Sequence, residues 1–308
     1  MKIAALFPSQ MTQHSGQWLY DNFTYVKEIY KEASDYLHID FARIGFQGTK
    51  EELEDMKIGQ PLVLLTGYAT AKVMEQELGM VFDYAAGTSV GEYTALAVAE
   101  AFTFEDALRL VQLRGRQMEE AAKDEKGAMF AILGKERDDV EEFLRKNREQ
   151  VHFNITSYNS PEQTLILGPA EEADSLKGLL SQNQMTGILI DENEPYQGQR
   201  TKEIAAFLKE SLEGVTVKKP KISIISSVTG LPYYNEKHIK DALVNQLLRE
   251  TAWRSTMKFL YVSEVDAVVD MGPGETMKKL SIQNYPGMNA FSIEKDWDVI
   301  KKQLTEGC

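Results

Sequence analysis

Gly87-Thr88-Ser89-Val90-Gly91 is the stretch on which the fold of this chain turns. It follows Val81-Phe82-Asp83-Tyr84-Ala85-Ala86 and precedes the helix-forming run Glu92-Tyr93-Thr94-Ala95-Leu96-Ala97-Val98-Ala99. A strand, a tight turn and a helix, with a serine at the apex, predict a nucleophile elbow. The glycines permit a bend at which a side chain would clash. The serine hydroxyl then lies at a helix N-terminus, where free backbone N–H groups can stabilise an oxyanion. On this reading Ser89 accepts an acyl group. A plain strand-to-helix turn is the alternative for so short a pattern.

Strands and helices alternate on either side of the elbow. Residues 3–7 read as a buried strand ended by Pro8, residues 19–37 carry helical signals, and Glu51–Met56 reads as a short acidic helix. An apolar helix is expected from Gln60 to Leu78 with Pro61 in its first turn. Thr103 is the expected N-cap of a helix running through Arg114 to Met118. Residues 127–193 have a separate rhythm. Ala128–Leu133, Val151–Tyr158, Gln163–Gly168 and Thr186–Asp191 read as strands, and Arg137–Lys146 and Ala170–Ser181 as helices. The order β-α-β-β-α-β predicts a small ferredoxin-like subdomain, inserted in a larger part formed by 1–126 and 194–308. That part continues with a helix at Lys202–Leu212, strands at Ile222–Ser226 and Ala267–Asp270, and helices at His238–Arg249 and Thr276–Ile282. The alternation predicts a mostly parallel sheet, with the functional site beyond the carboxyl ends of its strands.

The chain has 308 residues, 43% of them hydrophobic and 26% charged, as in an ordinary globular protein. A net charge of −13 argues against nucleic acid or an anionic membrane as the main partner. The single cysteine, Cys308, leaves no intrachain disulfide and no multi-cysteine metal site. No apolar run approaches the roughly 20 residues that span a bilayer, and Met1–Phe7 is too short for a secretory core. A cytoplasmic protein is expected.

Five stretches in order carry a resemblance: Phe7-Pro8-Ser9-Gln10-Met11-Thr12-Gln13, Gly59-Gln60-Pro61, Gly87–Tyr93, Leu113-Arg114-Gly115-Arg116-Gln117-Met118 and Met271-Gly272-Pro273-Gly274. The chain resembles malonyl-CoA:acyl carrier protein transacylases and polyketide synthase acyltransferase domains over nearly its whole length. The resemblance implies an α/β-hydrolase-like large domain with the ferredoxin-like insert. It implies that Ser89 holds the acyl group as an ester between two thiols. It places the backbone N–H groups of Gln10 and Val90 in an oxyanion hole, and Gln60 and Thr88 beside the substrate. Arg114 matches an arginine that pairs with the free carboxylate of a malonyl-type acyl group. A planar guanidinium forms two parallel hydrogen bonds to such a carboxylate. Arg116, two residues on, points elsewhere. Met118 either lines the acyl pocket or packs in the core.

The departures are informative. The family's general-base histidine falls in the loop Glu194-Pro195-Tyr196-Gln197-Gly198-Gln199-Arg200, and its position is Gln197. Glutamine cannot accept the serine proton. Tyr196 sits beside it on the substrate side. Gln246, ahead of Trp253, matches the residue whose backbone carbonyl steadies that base, and Arg249 replaces the following asparagine. The histidine before the nucleophile is Thr88, and the two glycines of the N-terminal motif are Ser9 and Met11. The four histidines are His14, His38, His152 and His238, none in a matching motif. Three readings stay open at Gln197. It is a substitution introduced to slow deacylation; or another base serves, with Glu194, His14 or an ordered water as candidates; or the chain is a relative that binds a carrier protein without turnover.

The function expected is transfer of a malonyl-type acyl group from a coenzyme A or carrier-protein thioester, through Ser89, to an acyl carrier protein in polyketide biosynthesis. No metal and no bound cofactor are implied, coenzyme A or phosphopantetheine being the substrate carrier, and a monomer is expected. Lys202, Lys209, Arg254 and Lys258 could form a basic rim for an acidic carrier protein, or be ordinary solvated helix faces. A thioester hydrolase clearing stalled chains is the rival enzyme. The presence of Arg114 speaks against it.

Overall fold

The computed structural model describes residues 1–10, 13–195 and 199–305. The chain opens with β1 (Ile3–Phe7), buried at every position. Four short or medium helices follow: α1 (Gln17–Asn22), α2 (Thr24–Leu37), α3 (Phe41–Gln47) and α4 (Lys50–Glu54). Then come the long α5 (Met56–Leu78), β2 (Tyr84–Gly87), α6 (Val90–Val98) and α7 (Phe104–Asp124). The caps follow from sequence. Thr49 and Glu52 form a reciprocal capping box on α4, Asp55 caps α5, and Thr103 caps α7 by accepting from Asp106 N.

The next segment runs β3 (Lys126–Leu133), α8 (Arg137–Lys146), β4 (Asn154–Ser160), β5 (Gln163–Pro169), a 3-10 turn at Ala170–Glu172, α9 (Ala173–Gln182) and β6 (Thr186–Pro195). Its strands form an antiparallel sheet in the order β4-β5-β3-β6. This is the ferredoxin-like arrangement. Its separate core joins Phe130, Ile132 and Ile166 of the sheet to Val140, Phe143, Leu176 and Leu180 of the helices.

The chain then returns through α10 (Gln199–Glu213), β7 (Ser223–Ile225), α11 (Glu236–Asn245), α12 (Trp253–Val262), β8 (Ala267–Asp270), α13 (Thr276–Asn284), β9 (Ala290–Ser292) and α14 (Ile293–Thr305). The first sheet is parallel throughout, in the order β7-β2-β1-β8-β9. Its register pairs Phe7 with Gly87, Ala86 with Ile225 and Leu6 with Asp270. Pro8, Thr88, Ser226 and Met271 therefore leave the sheet at one edge, where an open parallel sheet binds ligands.

Several local expectations need correction. The helical signals over 19–37 divide between α1 and α2 at Phe23, which is extended at φ −122° with its ring edge-on against Trp18. The acidic helix stops at Glu54, since Asp55 turns to cap α5. That cap starts α5 at Met56, so Pro61 lies in its second turn rather than its first. Val81–Asp83 stay outside β2, and the helix expected to reach Arg249 ends at Asn245.

A seam joins the two sheets. Thr251 N donates to Thr156 O at 2.8 Å, and Arg137 forks onto both carboxylate oxygens of Glu250 at 2.6 and 3.1 Å. Asn284 Nδ2 donates to Asn159 O at 2.7 Å. Within the larger part α5 lies directly on α7, and Gly115 makes that possible. A Cβ there would sit 2.1 Å from Met56 O. Gly115→Ala is expected to force the helices apart and lower stability by about 1–3 kcal/mol. Urea denaturation reads this as a lower midpoint, and an unchanged midpoint contradicts the packing argument.

Candidate active site

Ser89 sits between β2 and α6 with φ 50° and ψ −117°, a backbone conformation that L-residues avoid. The flanking glycines hold it there. A Cβ on Gly87 would lie 2.1 Å from Gly91 C, and one on Gly91 2.1 Å from Phe7 O. The turn can exist only where neither residue has a side chain. Thr88 N donates to Phe7 O at 3.2 Å and Gly91 N to Thr88 O at 2.8 Å, fixing the bend to the end of β1. Val90 opens α6, so its N–H belongs to the first turn, which has no intrahelical acceptor. Ser89 itself is half-buried and reachable.

The residue that meets it is Arg114 of α7. Nη2 donates to Ser89 Oγ at 2.9 Å and Nη1 to Gln60 Oε1 at 2.8 Å. Gln60 Nε2 in turn faces Met118 Sδ at 3.4 Å. Arg114, Gln60, Met118 and Ser89 thus form one chain of contacts across α5, α6 and α7. Arg114 is only 4% exposed, and its Nε is buried without a partner. Among the described residues no carboxylate pairs with it within 4.0 Å. A buried guanidinium facing only neutral oxygens is an uncompensated charge, and such a site favours an anion that can fork onto it.

Glu194, at the end of β6, lies within the electrostatic reach of Arg114 without touching it. Burial is the main cause of a carboxyl pKa pushed up to about 7, the charge of Asp191 adds to the rise, and Arg114 opposes it. Tyr196 and Gln197 lie outside the described residues. Thr88 is half-buried beside Ser89, while Gln10 and Arg249 are exposed. Pro8 packs over Gly272, where a Cβ would be 2.0 Å from its Cγ, so the Gln10 loop is pressed against the loop after β8. Met118 is buried with Ala121 and Ile204, packing α7 against α10. Arg116 is exposed, as are Lys202, Lys209 and Lys258. Arg254 is half-buried with its guanidinium over the Tyr158 ring at 5.2 Å, so it belongs to the seam rather than to a free basic rim.

One buttress escapes motif reading. Glu92, in the first turn of α6, is fully buried. It accepts from Ser227 N at 3.0 Å, Ser227 Oγ at 2.6 Å, Tyr233 Oη at 2.5 Å and Gln246 Nε2. The side-chain amide of Gln246 is therefore committed to Glu92. Neither Ser227 nor Tyr233 lies in any of the motifs read from the sequence.

Comparison with known proteins adds the relationship. Residues 25–290 match the acyl transferase domain family. A malonyl CoA-acyl carrier protein transacylase of Bacillus subtilis (strain 168) is 31% identical over 283 residues, covering 91% of this chain and 89% of its own. The complex of a type II polyketide synthase acyl-carrier protein with its malonyl-transacylase matches with TM-score 0.92 at 26% identity, covering 100% of both chains. A malonyl-CoA:acyl carrier protein transacylase from Xanthomonas oryzae pv. oryzae matches with TM-score 0.91 at 26% identity, covering 100% of this chain and 99% of its own.

Burial raises the pKa of Glu92 against the pull of its donors, and it raises that of Asp270 to about 7. Between the ordinary carboxylate range and these raised values the folded chain holds protons that the unfolded chain has released. Stability is therefore expected to fall as pH rises through that window. Urea melts from pH 4.5 to 8 check the sign. Glu92→Gln removes one contributor and is expected to flatten the slope.

Proposed function

The chain belongs to the acyl transferase domain family, and from that premise we propose that it moves a malonyl-type acyl group from a coenzyme A or carrier-protein thioester to the thiol of an acyl carrier protein. The single observation that carries the reading is the contact between buried Arg114 and Ser89. It puts a guanidinium in want of an anion beside a hydroxyl at a strained elbow. An acyl group with a free carboxylate satisfies both ends. Its carboxylate forks onto Arg114 as the guanidinium leaves Ser89 Oγ, and its thioester carbonyl carbon meets that oxygen.

Ser89 Oγ attacks the carbonyl carbon and loses its proton to a base. The charge that builds on the carbonyl oxygen is met by the N–H groups of Val90 and Gln10, donors of a kind worth roughly 3–4 kcal/mol each. The carbon–sulfur bond breaks, the thiol leaves, and the acyl group rests on Ser89 as an ester. The phosphopantetheine thiol of the carrier protein then attacks that ester and regenerates the serine. Gln60 holds the Arg114 side chain in place throughout. Coenzyme A and phosphopantetheine act as substrate carriers, and the chemistry calls for no resident cofactor. A polyketide pathway with a free-standing acyltransferase is the setting that the departures at Ser9, Met11, Thr88 and Arg249 favour. A cytoplasmic location accords with the single cysteine; no helix among the described residues is long and apolar enough to cross a membrane.

Intact-mass spectrometry after incubation with malonyl-CoA is expected to show one malonyl adduct, absent in Ser89→Ala. Arg114→Ala is expected to lose the preference for malonyl over acetyl thioesters. Its kcat/KM for malonyl-CoA should fall on the order of 10²-fold or more, the scale for removing one partner of a buried charge pair. A variant that keeps the preference overturns the role of Arg114. An adduct that persists in Ser89→Ala overturns the role of the serine.

A further inference from the structure

Burying a carboxylate is costly unless its oxygens are hydrogen-bonded, and Glu92 meets that condition only by reaching from α6 to a distant part of the chain. It is fully buried. Its Oε1 accepts from Ser227 N and Tyr233 Oη, and its Oε2 from Ser227 Oγ and Gln246 Nε2. Ser89 stands three residues earlier, at the start of the same turn. Resting on the acyl-transfer reading above, we infer that Glu92 is a positioning residue for the chemical step. Its carboxylate tethers the first turn of α6 to the segment between β7 and α12, and so holds Ser89 in its reactive conformation, while malonyl binding at Arg114 is set elsewhere.

The link from Glu92 to Ser89 is short. Glu92 N donates to Ser89 O at 3.1 Å, and Gly91 N to Thr88 O at 2.8 Å. A shift of Glu92 is passed through these bonds to Ser89 and to the N–H of Val90 between them. Ser89 lies at φ 50° and ψ −117°, a conformation that a free turn would leave. The flanking glycines permit it without enforcing it. A tether on the side chain three residues on keeps the turn from relaxing.

The far end of the tether is fixed. Tyr233 N donates to Ile224 O of β7 at 3.0 Å. Ser227 O accepts from Ala252 N at 2.6 Å, at the N-cap of α12. Gln246 N donates to Ala242 O at 2.9 Å, at the end of α11. The donors to Glu92 therefore belong to a frame that is itself tied to the parallel sheet and to two helices.

The group that receives the substrate carboxylate rests on different supports. Arg114 is on α7, its Nη1 is held by Gln60 of α5 at 2.8 Å, and α5 and α7 meet at the Gly115–Met56 approach. Among the described residues neither Arg114 nor Gln60 hydrogen-bonds Glu92 or its three partners. Acylation rate and malonyl affinity are thus expected to respond to different parts of the structure. Glu92→Gln keeps the tether and removes the charge. Gln246 Oε1 is buried with no hydrogen-bond partner among the described residues. A half-turn of that amide presents an acceptor to the Nε2 that the substitution introduces, and the Ser227 hydroxyl can rotate to accept as well.

The test is single-turnover reaction with malonyl-CoA followed by intact mass, which reads the rate and the final fraction of Ser89 adduct separately. Glu92→Ala is expected to slow acylation on the order of 10²-fold, the scale for misplacing a reacting group by about an ångström, with the same final fraction. Glu92→Gln is expected to recover most of the rate, and Tyr233→Phe and Ser227→Ala to slow it by smaller factors. Added to Ser89→Ala, which forms no ester, Glu92→Ala is expected to leave the Kd for malonyl-CoA unchanged. A Glu92→Ala protein with the wild-type rate overturns the inference. So does one that reaches a lower fraction at the wild-type rate, which gives Glu92 a part in folding only. A Kd that weakens as much as the rate also overturns it, as does a Glu92→Gln protein as slow as Glu92→Ala. Should Glu92→Ala not fold, wild-type rates in both Tyr233→Phe and Ser227→Ala overturn it. An alkyl fluorophosphonate, which labels a reactive serine without a malonyl group, repeats the series. If the wild-type protein takes the fluorophosphonate but no malonyl group, the acyl-transfer reading falls, and the order of labelling rates decides the part of Glu92.

Discussion

The site depends on a cation that the fold buries with no carboxylate within 4.0 Å among the described residues. Placing the Arg114 guanidinium at 4% exposure against two neutral oxygens costs stability that a paired charge would not. The protein tolerates it because α5 and α7 are locked by the Gly115–Met56 approach, and because the neutral acceptors Gln60 and Ser89 partly solvate the charge. A second strained element faces it. Ser89 occupies a backbone conformation that costs of order 1–3 kcal/mol. Two destabilising features that touch each other mark a place where shape answers to chemistry rather than to packing.

Holding the elbow under that strain requires an anchor on its other side, and Glu92 provides it. Its carboxylate gathers donors from Ser227, Tyr233 and Gln246, all on the segment between β7 and α12. A buried carboxylate with so many donors is a rigid joint, since removing any one partner leaves a desolvated group unsatisfied. The same segment carries Glu250 and Thr251, which bind the second sheet through Arg137 and Thr156. Elbow, arch and second sheet are therefore one mechanical unit. The placement of the elbow is thus supported by contacts well away from Ser89 itself.

How much of this was legible in the sequence depended on the range of the interaction that fixed it. The elbow was legible because two glycines and a serine at fixed spacing have few other uses, and the structure supplies the steric reason in the Phe7 O approach to Gly91. The β-α-β-β-α-β segment was legible because apolar periodicity switches at each boundary and its core is local. The helical signals over 19–37 did not mark the break at Phe23, whose ring packs on Trp18 from a distance in sequence too short to form a pattern. Elements α12, β9 and α14 had no signal of their own. β9 has only the three residues Ala290–Ser292, and its place at the sheet edge is set by β8. The pairing of Glu92 with Gln246 spans 154 positions, and no local pattern announces it. Arg114 was read from its motif, but its burial against Gln60 and Ser89, with no carboxylate within 4.0 Å among the described residues, is a property of the folded chain alone.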